Sequence, residues 1–301
     1  MKSVVFPLSM LLVLSIIQGC SRESKSEEPR QIKSNDGIKG SKENDNLVSN
    51  GYSEVNEINM YYEIYGAGKP LVLIHGGGST IETSFGRIIP ALSKHHKVIA
   101  VELQAHGHTT DRNSDLSFEQ DSDDVAALLR NLKIDHADFL GFSNGGNTAL
   151  QMAIRHPDLT NKIVAASALL KRSGAFPQFW EFMKRAKIEQ MPKEYKDAFL
   201  KITTDTSRLI NMHDKCVKRM VEFKGMSDAQ IKSISAPVLL INGDADVATS
   251  EHMVQMSRLI PNCKLAIIPG GHGEYMGEIT TLKSGQKSKL EILPILEKFL
   301  E

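Results

Sequence analysis

At 301 residues and 41% hydrophobic content, the chain is long enough to bury one large core or two modest ones. Its 36 basic residues balance 36 acidic ones, for a formal net charge of zero. The absence of a basic stripe excludes the electrostatic footprint of a nucleic-acid binder and points to a small-molecule partner.

The first twenty residues differ from the rest. Lys2 supplies a positive n-region, residues 4–17 an apolar run, and Ile-Gln-Gly-Cys ends the segment at Cys20. The run is short of the roughly 20 residues a membrane span needs and reads as a secretory signal. The Gly19-Cys20 junction resembles a bacterial lipobox, in which the thiol is acylated. Export as a membrane-anchored lipoprotein is therefore expected, on the periplasmic or cell-surface side. Residues 21–50, rich in Ser, Lys, Glu, Asn and Gly, have no periodic apolar face to offset their ordering entropy and read as a tether. Cys216 and Cys263 fall in segments with no reason to meet, so two free thiols are expected rather than a disulfide.

From residue 51 to the end the pattern alternates between β and α. Residues 61–65 read as a strand. PLVLIHG (70–76), KVIAVEL (97–103), DFLGFS (138–143), KIVAAS (162–167), PVLLING (237–243) and KLAIIPG (264–270) are short continuous apolar runs, as central parallel strands require. Ser117 and Gln120 have capping-box spacing and open a helix through Leu132 with Val125, Leu128 and Leu129 on one face. The expected fold class is α/β, a mostly parallel sheet covered by helices. Between 171 and 235 the β signal disappears, and aromatic and Met residues on helical segments read as a cap. Most of these residues read as the cap's own small core; since such a cap also roofs an apolar pocket, Phe176, Trp180, Met183 and Met212 are the candidate substrate contacts among them.

Gly141-Phe-Ser143-Asn-Gly145 matches G-x-S-x-G between an apolar strand and a helical run, the context of a nucleophile elbow. The flanking glycines let strand and helix approach around a strained serine. A serine hydroxyl needs a base within reach, itself oriented by an acid, in the order Ser, Asp or Glu, His. Asp244 and Asp246 end one strand run and His272 the next. Asp246 is the expected acid, Asp244 the expected loop stabiliser, and His272 the histidine that follows in order. LIHGGGST places Gly76, Gly77 and Gly78 after a central strand. The N–H groups of Gly77 and Asn144 are the expected oxyanion hole, with Gly78 a further candidate substrate contact and His75 a brace; His106 is a candidate contact too, although its loop favours a structural role. No P-loop or dinucleotide fingerprint is present, and the His and Cys residues show no metal-ligand spacing. No cofactor and no metal are expected.

With these residues in order, HGGGS, GHG, GFSNGG, NGDAD and GGH resemble the motifs of the α/β-hydrolase superfamily from about residue 51 to the end. The resemblance implies the α/β-hydrolase fold, Ser143, Asp246 and His272 as a triad, and Gly77 and Asn144 as the oxyanion hole. Glu102 departs from it, standing where the family commonly has aspartate. HGGGSTIETSFG, SFEQDSDDVAALL and GFSNGGNTALQMAIRHPD are similar to a narrower bacterial group that includes macrolide esterases. That resemblance implies a serine esterase opening the lactone of a large-ring macrolide antibiotic. The alternatives are a general carboxylesterase or other lactonase, and a cofactor-free C–C hydrolase or haloperoxidase-like enzyme. A different class is a binding module with a relic triad.

Overall fold

The computed structural model describes residues 46–282 and 290–301. The expected signal segment, Cys20 and the tether up to residue 45 lie outside the described residues. Eight strands form one sheet: β1 (Leu47–Val55), β2 (Ile58–Tyr65), β3 (Lys69–Ile74), β4 (His96–Val101), β5 (Ala137–Phe142), β6 (Thr160–Ala166), β7 (Val238–Gly243) and β8 (Cys263–Ile268). Their spatial order is β1-β2-β4-β3-β5-β6-β7-β8. β1 and β2 run antiparallel to their neighbours, and every other pairing is parallel. β1 starts before the boundary expected at residue 51. Its outward-facing LVSNGYSEV pattern buries only its last residue, so it carries no apolar signal. Its register comes from the tight turn at Asn56 and Glu57, both at positive φ, which pairs it with β2.

Of the continuous apolar runs, β3 to β7 are strands covered on both faces, whereas the edge strand β8 buries only Ile268. Val72 and Ile74 of β3 face one core, with α3 (Phe118–Asn131), α4 (Asn144–Arg155) and α9 (Ser250–Leu259). Leu71 and Leu73, one residue out of phase, face the other, with α1 (Ile81–Phe85), α2 (Ile89–Leu92) and α10 (Ile292–Leu300). The period-2 alternation of side chains explains why both sets are apolar. Ser117 caps α3 by accepting from the Gln120 N–H, whereas the Gln120 side chain donates to Asp124, so only half of the expected capping box forms. Both thiols are free and half-buried. Among the described residues no helix is long and apolar enough to cross a membrane.

The segment after β6 is helical, with α5 (Pro177–Met183), α6 (Lys193–Ile202), α7 (Thr206–Val221) and α8 (Asp228–Lys232). α8 buries Ile231 in the main core, so the cap ends before it and not at residue 235. α7 is the cap's main attachment. Lys215 and Lys218 reach Asp111 and Asp115 across its exposed side. Arg219 meets Asp121 of α3 at 2.6 Å with both side chains almost wholly buried, and its guanidinium lies over the Phe118 ring. Burial outweighs the attraction of Arg219 and raises the Asp121 pKa to about 6.

Surface ion pairs contribute little, but removing one partner of a buried pair costs about 3–5 kcal/mol. Arg219→Ala is expected to lower unfolding stability by about 3 kcal/mol. Replacing both partners together, as Asp121→Leu with Arg219→Met, should recover most of that loss, as read by urea denaturation.

Candidate active site

The parallel strands end along one edge of the sheet, and the candidate residues lie there. β5 delivers Ser143, which precedes α4 with φ 54° and ψ −119°. A residue with a side chain costs of order 1–3 kcal/mol in such a conformation, so its surroundings must impose it. A Cβ on Gly141 would stand 2.0 Å from the Gly145 carbonyl oxygen, and one on Gly145 would stand 2.0 Å from that of Ile74. Strand and helix therefore meet backbone to backbone. The Ser143 N–H is held by the Ala166 carbonyl at 2.8 Å, and its hydroxyl stands clear of the sheet.

Ser143 Oγ lies 3.0 Å from His272 Nε2, and His272 Nδ1 lies 2.6 Å from Asp246 Oδ1. His272 reaches this position through the turn at Gly273 (φ 77°), where a Cβ would press on the Phe142 ring at 2.8 Å. Asp246 is buried and well satisfied: Oδ1 also accepts from the Val247 N–H, and Oδ2 from the Ser167 hydroxyl and the Gly243 N–H. Asp244 instead accepts from the Gly270 N–H and ties the two strand-end loops together. Burial raises the pKa of Asp246, but His272 and these donors outweigh it, and the net shift is downward. Burial likewise disfavours the His272 imidazolium. The Asp246 carboxylate, with Glu278 behind it, outweighs that burden and raises the His272 pKa.

The glycine loop after β3 stands opposite. A Cβ on Gly77 would meet Asn144 Nδ2 at 2.3 Å, so only glycine allows this approach. Neither the Gly77 nor the Asn144 N–H has an acceptor among the described residues. Asn144 also opens α4, whose N-terminal dipole favours negative charge. His75, fully buried, donates from Nδ1 to the Gly76 carbonyl and accepts at Nε2 from the Leu103 N–H.

His106 is not a substrate contact. It is fully buried, donates from Nδ1 to the Gln104 carbonyl and accepts from the Gly78 N–H at 3.0 Å. Burial holds it neutral, with its pKa well below the usual value, so it braces the glycine loop as His75 does. Glu102 is buried and accepts from both the backbone and the ring of His108. A Cβ on Gly107 would collide with its carboxylate, so a glycine at positive φ makes room for the longer acid.

A cavity of about 250 Å³ opens over Ser143, His272, Gly77, Gly78 and Asn144. Its cap walls follow helical spacing. On α5, Phe179, Phe182 and Met183 line it, while Trp180 turns the other way, stacks on Phe223 beneath Arg172 and donates its indole N–H to the Arg172 carbonyl. On α7, His213, Cys216, Val217 and Met220 line it, whereas Met212 faces Phe199 and Leu209 in the cap's own core. Of the four expected cap contacts only Met183 faces the cavity. Trp180 and Met212 are core residues, and Phe176 is exposed outside it.

Three supporting residues carried no assigned role in the sequence. Ser167, at positive φ beyond β6, sits between Asp246 and the buried Tyr275 hydroxyl at 2.7 Å. Glu278 accepts from the Tyr195 hydroxyl of the cap at 2.8 Å. Ser167 sits one strand over from Ser143, at the end of the run KIVAAS; that position was the only signal available.

Residues 69–201 match the alpha/beta hydrolase fold family. The chain is 37% identical over 103 residues to the 2-hydroxymuconate semialdehyde hydrolase of Pseudomonas sp. (strain CF600), which is 33% of this chain and 36% of that relative. The match thus spans about a third of that curated relative's length. Among solved structures, the enol-lactonase from Burkholderia xenovorans LB400 aligns with a TM-score of 0.64 at 20% identity, over 83% of this chain and 100% of that one. A thermophilic esterase from Thermogutta terrifontis aligns with a TM-score of 0.64 at 19% identity, over 84% and 97%. These structures share the fold, and the residues that match the family model include both the elbow and the glycine loop, so the chain has the α/β-hydrolase fold.

Proposed function

We propose that the protein is a serine hydrolase that cleaves carboxylic esters through an acyl-enzyme. The reading rests above all on the hydrogen-bonded line from Ser143 through His272 to Asp246, laid along the floor of an apolar cavity. His272 Nε2 takes the Ser143 proton as Oγ attacks the ester carbonyl carbon. Asp246 holds the proton on Nδ1 and stabilises the imidazolium. The carbonyl oxygen, now anionic, lies between the Gly77 and Asn144 N–H groups, each such donor contributing about 3 kcal/mol. His272 returns the proton to the departing alkoxide, then activates a water that releases the acid and restores Ser143.

The walls favour a neutral, apolar substrate. Phe179, Phe182, Met183, Met191, Val217 and Met220 surround the space, and the one lysine on the lining, Lys187, sits exposed at its rim. A carbon–carbon hydrolase acting on acidic dienoates would set more cations against its substrate's carboxylate. Within the esterase reading the finest proposal is the lactone of a large-ring macrolide, carried by the motif resemblance and by methionine walls that adapt to bulky shapes. Export and acylation at Cys20 belong to the same proposal.

Incubation with a short-chain nitrophenyl ester and with a large-ring macrolide is expected to give ester cleavage and addition of one water to the lactone, both abolished in Ser143→Ala. Cleavage of the nitrophenyl ester with an untouched macrolide would restrict the enzyme to smaller esters. Since His272 must be neutral to accept a proton and its pKa is raised, kcat/KM should fall as pH drops through a value above the usual histidine pKa of about 6.5. Asp246→Asn should move that limb downward and lower kcat roughly 10³–10⁴-fold. Cys20→Ala is expected to shift the protein from the membrane to the soluble fraction.

A further inference from the structure

Beside the exposed Lys187 and Gln190, three less exposed polar side chains interrupt the apolar cap wall of the cavity: Tyr195, Cys216 and His213. Two of them are engaged by the protein. Tyr195 donates to Glu278, and Cys216 Sγ lies 3.3 Å from His106 Nε2. His213 is different. Its side chain is about nine-tenths buried, and Nδ1 lies 2.8 Å from Asp214 Oδ1. Nε2 has no partner among the described residues. In the neutral ring, the carboxylate fixes the proton on Nδ1 and leaves the Nε2 lone pair as an acceptor. The spacing of His213, Cys216, Val217 and Met220 sets the ring on the cavity face of α7.

A few placed polar groups in an otherwise apolar pocket fix a ligand's orientation and provide its specificity. We propose that His213 is the specificity-determining acceptor of this pocket. It binds a hydrogen-bond donor, a hydroxyl or a protonated amine, carried by the substrate away from its scissile ester. The inference rests on the esterase reading and narrows its substrates to apolar esters that bear such a donor. Asp214 acts through His213 as a positioning residue, holding the tautomer that leaves Nε2 free.

The test compares nitrophenyl octanoate with its ω-hydroxy and ω-amino analogues. The wild-type enzyme is expected to favour one or both donor-bearing esters in kcat/KM by several-fold to about tenfold, the range of one net hydrogen bond. That ratio should collapse to about one in His213→Leu and in His213→Phe, and either variant suffices if the other fails to fold. Preference for the hydroxyl ester alone or the amino ester alone identifies the donor. A wild-type ratio of about one, or a ratio unchanged in the apolar variants, would overturn the proposal. The same esters titrated into Ser143→Ala give an affinity order that does not depend on turnover. Absent hydrolysis with that order retained would sink the esterase reading and leave the His213 site standing.

Discussion

Everything at the sheet edge depends on one constraint, the left-handed backbone of Ser143 between β5 and α4. No local preference of serine favours it. It is imposed because Gly141, Gly145 and Gly146 let the helix seat directly on strand backbones, so close that any added carbon would overlap a carbonyl oxygen or the Ala168 side chain. The packing that holds the strain also aims the hydroxyl at His272 and leaves the Asn144 N–H at the start of a helix. Fold stability and chemical competence share these contacts, since loosening the turn would release both.

The second requirement is electrostatic. A buried carboxylate is costly unless it is fully hydrogen-bonded, and Asp246 meets that demand with backbone N–H groups, the Ser167 hydroxyl and His272. The chain continues through Ser167 to Tyr275, so Asp246 is fixed at Oδ2 by the protein interior while Oδ1 accepts from the Val247 N–H and the His272 imidazole. Glu278 adds negative potential near His272 while tying down Tyr195 of the cap. The roof of the cavity and the charge state of His272 are thereby linked through one carboxylate.

Much of this was legible in the residues. Strands covered on both faces must be apolar throughout, which is why β3 to β7 stood out, and the glycines of the elbow and of the loop after β3 marked close approaches that only glycine permits. The cap was legible as helical but not in its directions. PQFWEFM places Phe179 and Trp180 on adjacent residues 100° apart around α5, and nothing in the local sequence says which of the two faces the sheet edge. Met212 and His213 pose the same ambiguity on α7. β1 was hidden because its side chains stay in water, and Ser167 and Tyr275 because their partners come from distant strands. His106 stayed open between a loop brace and a substrate contact because a loop histidine reads alike whether it meets a ligand or, as here, a neighbouring backbone N–H.

Reaction with a fluorophosphonate followed by peptide mass spectrometry tests the central claim most directly. An activated serine beside a neutral imidazole and an oxyanion hole should take up one phosphonyl group, on the peptide carrying Ser143, with labelling abolished in Ser143→Ala and much slowed in His272→Ala. A folded protein that stays unlabelled, or that is labelled equally well in Ser143→Ala, would contradict it.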